Sequence, residues 1–180
     1  TGGRPIPTND PHTFMGFVAH LLWKMHHEIS ELDQHNPKMG ELIAFRNVVR
    51  EIPTDIAVDE AWIEADVRKR GLLLCYAPNA VVYNYGPETV SDFLRQRRRI
   101  HAGHFHLKRK MGYETPTMNV GKVLRVLPRA LSLSWRGVIF TLTAAFLEVY
   151  GRLLGAYDFF VKGKSPYVWD VAETTKEVRL

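Results

Sequence analysis

Two short stretches of the sequence carry side chains whose types and spacing could perform chemistry together. One is the acidic pair Asp59-Glu60, and the other is "QRRRI", in which Gln96 and Arg99 lie about one helical turn apart and Ile100 follows. A carboxylate can take the proton of an attacking hydroxyl group, and an arginine can stabilise charge on a leaving diphosphate. These stretches are therefore candidates for a general base and for a diphosphate-binding group.

The acidic pair is predicted to open a helix with the sequence "DEAWIEADVRKRG". Acids in the first turn and bases in the last turn complement the helix dipole. Gly71 is typical of the left-handed residue that ends a helix. An acidic pair at this place often serves the dipole alone, so the pair by itself does not indicate catalysis.

The "QRRRI" stretch is predicted to lie on a second helix, which begins after the capping residue Thr89 and ends at Gly112. Its apolar residues recur at helical spacing and form one side. A core helix borders a cleft at the edge of its apolar side, and a glycine there lets a diphosphate or an acceptor come close. The residues predicted at this edge are Gln96, Arg99 and Gly103.

The other arginines of this helix have different predicted environments. Arg97 falls within the apolar side, where an unpaired charge is too costly, so it must have a partner. Arg95 and Arg98 point away from that side and are predicted to be solvated. The alternative is a basic surface on which every arginine contacts nucleic-acid or lipid phosphates. The net charge of +5 suits anionic partners of any kind and does not choose among them.

Helix and strand signals alternate over residues 1–115, which predicts an α/β fold. An amphipathic helix is predicted over residues 11–34, beginning at Asp10-Pro11, whereas "GRPIPTND" has the composition of a turn-rich connector. Cys75, the single cysteine, is expected to be a buried strand thiol in a reducing compartment. Strands are predicted at "ELIAFRN" and on both sides of a Pro78-Asn79 turn, at "LLLCYA" and "AVVYNY".

Residues 116–180 are predicted to form an apolar, helical, membrane-associated segment. Glu148, Arg152 and Asp158 interrupt its apolar sequence, so its charge-free run is shorter than the roughly 20 residues that a simple span needs. Basic and aromatic residues around it suit helices at a headgroup interface, or one short span whose polar groups face protein. A buried helical hairpin and a purely membrane-anchoring role are the alternatives.

In their order and spacing, these features resemble the second half of the family 2 glycosyltransferases, the GT-A group that includes cellulose and hyaluronan synthases. The resemblance covers about residues 1–112 and includes "GELIAFRN", "YAPNAVVYN" and "PET" beside the two stretches above. It implies that Asp59-Glu60 is the acidic motif that supplies the base. It also implies that "QRRRI" is the family's Gln-x-x-Arg-Trp motif, which lines the channel for the nucleotide diphosphate and the acceptor.

Two departures from the family pattern qualify this resemblance. The acidic pair is Asp-Glu, with Glu60 where the family usually has the catalytic aspartate, so either Asp59 or Glu60 could be the base. Ile100 replaces the tryptophan, which can stack on a sugar ring of a growing glycan. Transfer of one or a few sugars is therefore expected, rather than processive polysaccharide synthesis.

The resemblance also implies the partners of the protein. They are a nucleotide-sugar donor, a glycan or lipid-linked acceptor and a membrane, with the enzyme on its cytoplasmic face and no nucleic acid involved. Such an enzyme takes part in polysaccharide or glycolipid biosynthesis. The sequence has no initiator methionine and opens with "TGGRPIP", so we expect the donor-binding half to precede it.

A divalent metal, Mg or Mn, is expected for the full enzyme, with its ligands mostly outside this chain. The sequence contains no Asp-x-Asp motif, which would supply such ligands. The histidines of "MHHE" and "HAGHFH" predict no metal site, because adjacent histidines point to different helix faces. Only His101 and His104 can converge, without an acidic third ligand in sequence reach.

Overall fold

The computed structural model describes residues 1–132 and 134–163, which form a mixed arrangement of helices and a small sheet. This agrees with the predicted α/β class. The rest of the predicted C-terminal segment, residues 164–180, lies outside the described residues. The strands are β1 (Gly2–Pro7) and β2 (Tyr76–Asn84), and the helices are α1 (Phe14–Leu32), α2 (Asp59–Lys69), α3 (Val90–Met111), α4 (Val120–Ala130) and α5 (Trp135–Phe160), with a single 3-10 turn at Pro116–Met118.

The strand β1 was predicted as a connector, and this prediction was wrong. β1 pairs in parallel with β2, so that Ile6 lies opposite Tyr83. The amide of Thr8 donates to the carbonyl of Asn84 in β2, and the amide of Gly2 donates to Cys75, the residue just before β2. The amide of Gly3 donates to Leu42, on the other side of β1. Alternation along the strand therefore turns Pro5 and Pro7 away from β2, where their missing N–H groups cost no ladder bond.

The strand predictions farther along the chain were also wrong in part. β2 runs through Pro78-Asn79, so the predicted turn is absent and one strand replaces two. The pairing register shifts between Gly2 and Arg4, which accommodates the extra residues as a bulge in β2. Cys75 precedes the strand and is exposed rather than buried. The "ELIAFRN" stretch contributes only an isolated bridge from Ile43 to Gly2.

The helices follow the local signals closely. Thr13 caps α1 by accepting a hydrogen bond from the amide of Gly16, so the helix begins a few residues after the predicted Asp10-Pro11 start. The predicted ends of α2 and α3 are confirmed, because Gly71 and Gly112 both have left-handed backbone angles, with φ of 74° and 67°.

The helix α3 lies between two layers of helices. On one side Phe93 packs with Val18 of α1 and with Leu147 of α5. On the other side Leu107 packs with Ala61 and Ala65 of α2. Different faces of α3 therefore contact different helices, so neighbouring residues of "QRRRI" are placed in different environments.

The helix α5 neutralises two of the arginines on α3. Arg97 Nε lies 3.4 Å from Glu148 Oε2, which confirms that Arg97 is paired. Arg98 Nη2 donates to Asp158 Oδ1 at 2.6 Å, so the prediction of a solvated Arg98 was wrong. Gly151 lies against the Arg97 side chain, and Gly155 lies against the α3 backbone. These glycines let the two helices come close enough for both ion pairs.

The helix α5 is also long and apolar enough to cross a membrane, judged by its length and composition alone. Only 28% of its most apolar 18-residue window is buried inside the structure. The predicted membrane-associated segment thus has a structural basis in α5, whose outer side faces away from α3.

The Glu148 ion pair makes folding depend on pH. Burial would raise the pKa of Glu148, but Arg97 and His101 lower it to about 2. A carboxyl group with a lowered pKa in the folded state stabilises the fold above its unfolded pKa, and this stabilisation is lost as the pH falls to the folded value. We expect Glu148→Gln to cost about 2 kcal/mol of unfolding free energy at neutral pH, since it removes the charge that takes part in the hydrogen bond with His101 and in the ion pair with Arg97.

The same substitution should reduce the loss of stability between the ordinary pKa near 4.5 and about 2, as measured by urea unfolding at each pH. Glu114→Gln is the matched control, because Glu114 forms an exposed ion pair with Lys108. If the unfolding free energy of Glu148→Gln fell with pH as steeply as that of the parent, the ion pair of Glu148 would not be the source of the acid dependence.

Candidate functional site

The acidic pair occupies the first turn of α2, as predicted. The side chain of the N-cap residue, Val58, has no oxygen that could cap the helix. Asp59 and Glu60 are the acidic residues of this first turn and complement the helix dipole. Asp59 is exposed, whereas Glu60 is half-buried and keeps 34% of its side chain exposed. The two carboxylates therefore differ in environment although they are adjacent.

A lysine that the sequence analysis did not single out lies beneath the acidic pair. Lys38 is buried, and its Nζ lies 2.9 Å from Glu64 Oε1 and 3.8 Å from Glu60 Oε1. Glu64 is fully buried and also accepts hydrogen bonds from the Met39 amide at 2.8 Å and from the Tyr113 hydroxyl at 3.0 Å. The positive charge of Lys38 thus compensates the buried carboxylate of Glu64 and also attracts the carboxylate of Glu60.

This network carried no signal in the sequence that distinguishes it from surface charges. Lys38 stands in the loop "NPKMG", and Glu64 lies one turn beyond Glu60 on the same helix. The i, i+4 spacing of Glu60 and Glu64 places both on one face of α2, which was the only available hint. The partner loop becomes apparent only when the fold brings it to that face.

The helix α3 brings Arg99 to the same place. Burial lowers the pKa of Arg99, while the carboxylates of Glu60, Asp59 and Glu41 oppose this by raising it, and the result is a lowered pKa. Arg99 is half-buried and precedes Ile100, which packs against the α2–α3 core. The fold therefore places Arg99 in the field of the acidic pair, although the two motifs are far apart in sequence.

The remaining predicted site residues lie along the same helix. Gln96 is half-buried and lies about one turn before Arg99. Gly103 faces inward, because a Cβ atom built there would lie 3.1 Å from Val58 and 3.3 Å from Ala57. The space next to Gly103 is thus filled by the residues that lead into α2. In this structure Gly103 permits close packing of the two site helices.

The pKa of Glu60 is raised from its ordinary range. Burial is the largest cause, the neighbouring Asp59 adds to it, and Lys38 acts in the opposite direction. A carboxylate with a raised pKa is a stronger base once it has ionised, and general bases work best with a pKa near the operating pH. The site thus combines a carboxylate suited to proton abstraction with the cationic group of Arg99.

The histidines of "MHHE" and "HAGHFH" contact other side chains or are buried. His27 Nδ1 lies 2.9 Å from the Tyr76 hydroxyl, and His101 Nε2 lies 2.9 Å from Glu148 Oε1. Burial, with a smaller effect of Lys38, lowers the pKa of His26 to about 3 and that of His104 well below its usual range. Among the residues that the structure describes, no three His, Cys, Asp or Glu side chains converge as a metal site would require.

Comparison of this chain with protein-family models, with curated proteins and with solved structures finds no match. The functional argument therefore depends on the geometry of the site and on the sequence motifs that form it.

Proposed function

We propose that this chain is the acceptor-side part of a GT-A type glycosyltransferase that moves a sugar from a nucleotide-diphosphate donor to a hydroxyl acceptor. The observation that carries the proposal is the contact of α3 with the start of α2, where Gly103 lies against Val58 and Ile100 packs against the α2–α3 core. Burial lowers the pKa of Arg99, and this contact brings Arg99 near enough to Asp59 and Glu60 for their charges to oppose that shift. A base and a diphosphate-binding cation are the two groups that such a displacement needs from the protein.

Glu60 is the better base of the acidic pair. It is half-buried beside Lys38 and has a raised pKa, whereas Asp59 is exposed. Partial burial shields a carboxylate from water and leaves room for an acceptor hydroxyl at its exposed edge. Asp59 then acts on Glu60, whose pKa it raises through its charge and a hydrogen bond.

The proposed step is a direct displacement. The acceptor oxygen forms a bond to the anomeric carbon of the donor sugar while its proton passes to Glu60. The bond between that carbon and the diphosphate oxygen breaks, and its electron pair leaves with the nucleoside diphosphate. Arg99 donates hydrogen bonds to the leaving diphosphate as a planar fork, and Gln96 supports it from the preceding turn.

A Mg²⁺ or Mn²⁺ ion does not fit at the acidic pair. Lys38 Nζ lies 3.8 Å from Glu60 Oε1, and Arg99 lies in the field of both carboxylates. These two cations oppose a third positive charge at the same place, and no step of the proposal passes through a metal. We propose that a Mg²⁺ or Mn²⁺ ion, if the reaction uses one, has its ligands mostly outside this chain.

The proposed setting is the cytoplasmic face of a membrane, with a glycan or lipid-linked acceptor. The support is the exposed outer side of α5 together with the single exposed thiol of Cys75, which suits a reducing compartment. Ile100 packs into the core between α2 and α3, which is consistent with transfer of one or a few sugars.

Alanine substitution of individual arginines in the full-length protein tests the proposal. We expect Arg99→Ala to lower kcat/KM by about 10²-fold, or about 3 kcal/mol, which is the effect of removing one charge-stabilising donor. Arg99→Lys should recover only part, because a lysine lacks the planar fork. Gln96→Ala should cost somewhat less. The measurement is release of nucleoside diphosphate from a panel of nucleotide sugars.

Arg95→Ala is the matched control on the same helix. Arg95 is 40% exposed, and its Nη1 lies 3.4 Å from Asp92 Oδ1 of its own helix. Its loss should leave turnover unchanged. Equal losses for Arg95→Ala and Arg99→Ala, with binding to nucleic acid that falls steeply with salt, would instead identify a phosphate-binding surface.

A further inference from the structure

The helix α5 has two faces that differ completely. Its buried face carries glycines and other small residues, the core residues Leu147 and Phe159, and beside them the ion-paired acids Glu148 and Asp158. Its outer face carries large apolar side chains at alternating spacings of three, four and seven residues, which places them in one line along the helix. We call this line the apolar stripe: Trp135, Leu142, Phe146, Val149, Leu153 and Phe160, which are 57–78% exposed.

The contact with α3 prevents α5 from crossing a bilayer in this fold. α5 contains 26 residues and is therefore about 39 Å long, which exceeds a hydrocarbon core of about 30 Å. The ion pair of Glu148 lies in the middle of the helix, so hydrocarbon around α5 would also enclose Arg97 of α3. Charged groups in hydrocarbon are costly, and α3 is itself packed against α2 and α1.

Basic side chains lie at both ends of the apolar stripe. Both acids of α5 face α3, so the stripe itself carries no negative charge. Lys162 lies over the ring of Tyr157, and Arg109 lies over the ring of Phe159, both at the end of the helix. Arg136 is exposed next to Trp135 at its beginning. An apolar face with basic ends is complementary to a surface of anionic lipid headgroups.

We propose that the apolar stripe binds flat onto an anionic lipid surface, with the axis of α5 in the plane of the membrane. The stripe side chains enter the boundary between headgroups and acyl chains, and the basic residues at both ends contact lipid phosphates. This inference concerns the binding surface alone and does not depend on sugar transfer.

Vesicle flotation of the 180-residue chain tests binding. The protein should float with vesicles of phosphatidylcholine and phosphatidylglycerol, and less with phosphatidylcholine alone. We expect the double variant Leu142→Glu and Phe146→Glu to lower the partition coefficient at least about tenfold, because two negative charges replace apolar contacts. Leu73→Glu is the matched control, since Leu73 is 84% exposed in the loop between α2 and β2. It should bind as the parent does.

Depth measurements test the orientation. Spin labels are attached in a Cys75→Ser background through Ile139→Cys, Phe146→Cys, Leu153→Cys and Phe160→Cys. A helix in the membrane plane gives the same shallow depth at all four positions. Labels that are deepest in the middle and shallow at both ends would show a spanning helix and overturn the proposal.

Two further results would overturn it. One is absence of binding to anionic vesicles. The other is dimerisation without lipid that the Leu142→Glu and Phe146→Glu changes abolish, because the stripe would then be an interface between copies of the chain.

Discussion

Glu60→Gln is expected to lower the rate of sugar transfer by the full-length protein by roughly 10²–10⁴-fold, the range that a general base contributes. The amide has nearly the same shape as the carboxylate but cannot accept the acceptor's proton. Donor affinity should stay nearly unchanged, because Glu60 acts on the acceptor hydroxyl and not on the nucleotide. Measurement of kcat together with the donor dissociation constant separates the two effects.

The pH dependence of the same reaction supplies a second readout. The pKa of Glu60 is raised, so the rate should fall as the pH drops through a value above the ordinary range of a glutamate. Asp59→Asn removes the neighbouring charge and should shift this fall in rate to lower pH. Asp66→Asn is the control, since Asp66 pairs with Arg70 at 2.9 Å on the same helix and outside the site. If Glu60→Gln kept most of its rate, the acidic pair would be serving the helix dipole.

Lys38→Met is expected to lower the unfolding free energy by about 3–5 kcal/mol, which is typical when one partner of a buried ion pair is removed. Glu64 is fully buried and would lose its cationic partner, while the Met39 amide and the Tyr113 hydroxyl remain as hydrogen-bond donors to it. Urea unfolding of the 180-residue chain measures the change. The rate of sugar transfer by the full-length protein should also fall, because Lys38 lies beside Glu60.

A double-mutant cycle isolates this interaction. Glu64→Gln removes the charge, while its carbonyl oxygen can still accept from the Met39 amide and its NH2 group can donate to the Tyr113 hydroxyl. Adding it to Lys38→Met should therefore restore much of the lost stability. The control is Lys108→Met, because the Lys108–Glu114 pair at 2.5 Å is exposed on both sides and contributes at most about 1 kcal/mol. If the losses of unfolding free energy caused by Lys38→Met and Glu64→Gln simply added, the two charges would not interact.

The elements whose ends depend on local chemistry were predicted well. Thr89 and Gly112 bound α3 because a hydroxyl cap and a left-handed glycine act within a few residues of the chain. The apolar spacing also placed Arg97 on a buried side, and its ion pair with Glu148 follows from the cost of an unpaired buried charge. The candidate residue Arg99 could be chosen for the same kind of reason, since it lies on a helix face that the periodicity defines, whereas Glu60 was chosen through the family resemblance.

The sheet and the charge partners could not be predicted in this way. The composition of "GGRPIP" is that of a turn, and it becomes β1 because β2 offers it a parallel partner more than seventy residues later. Arg98 was predicted to be solvated because no local signal places Asp158 beside it. Such pairings are decided by which surfaces meet, and not by the residues next to them in sequence.

The sequence alone thus determined the helix boundaries, the amphipathic faces and the two motifs of the candidate site, because these depend on side chains within one or two turns. Only the tertiary structure decided the rest: the approach of Arg99 to the acidic pair, the burial of Lys38 against Glu64, and the sorting of the α3 arginines between α2 and α5. Electrostatic interactions act over a few ångströms of space whatever the separation along the chain, so they can be identified only when packing has set the distances.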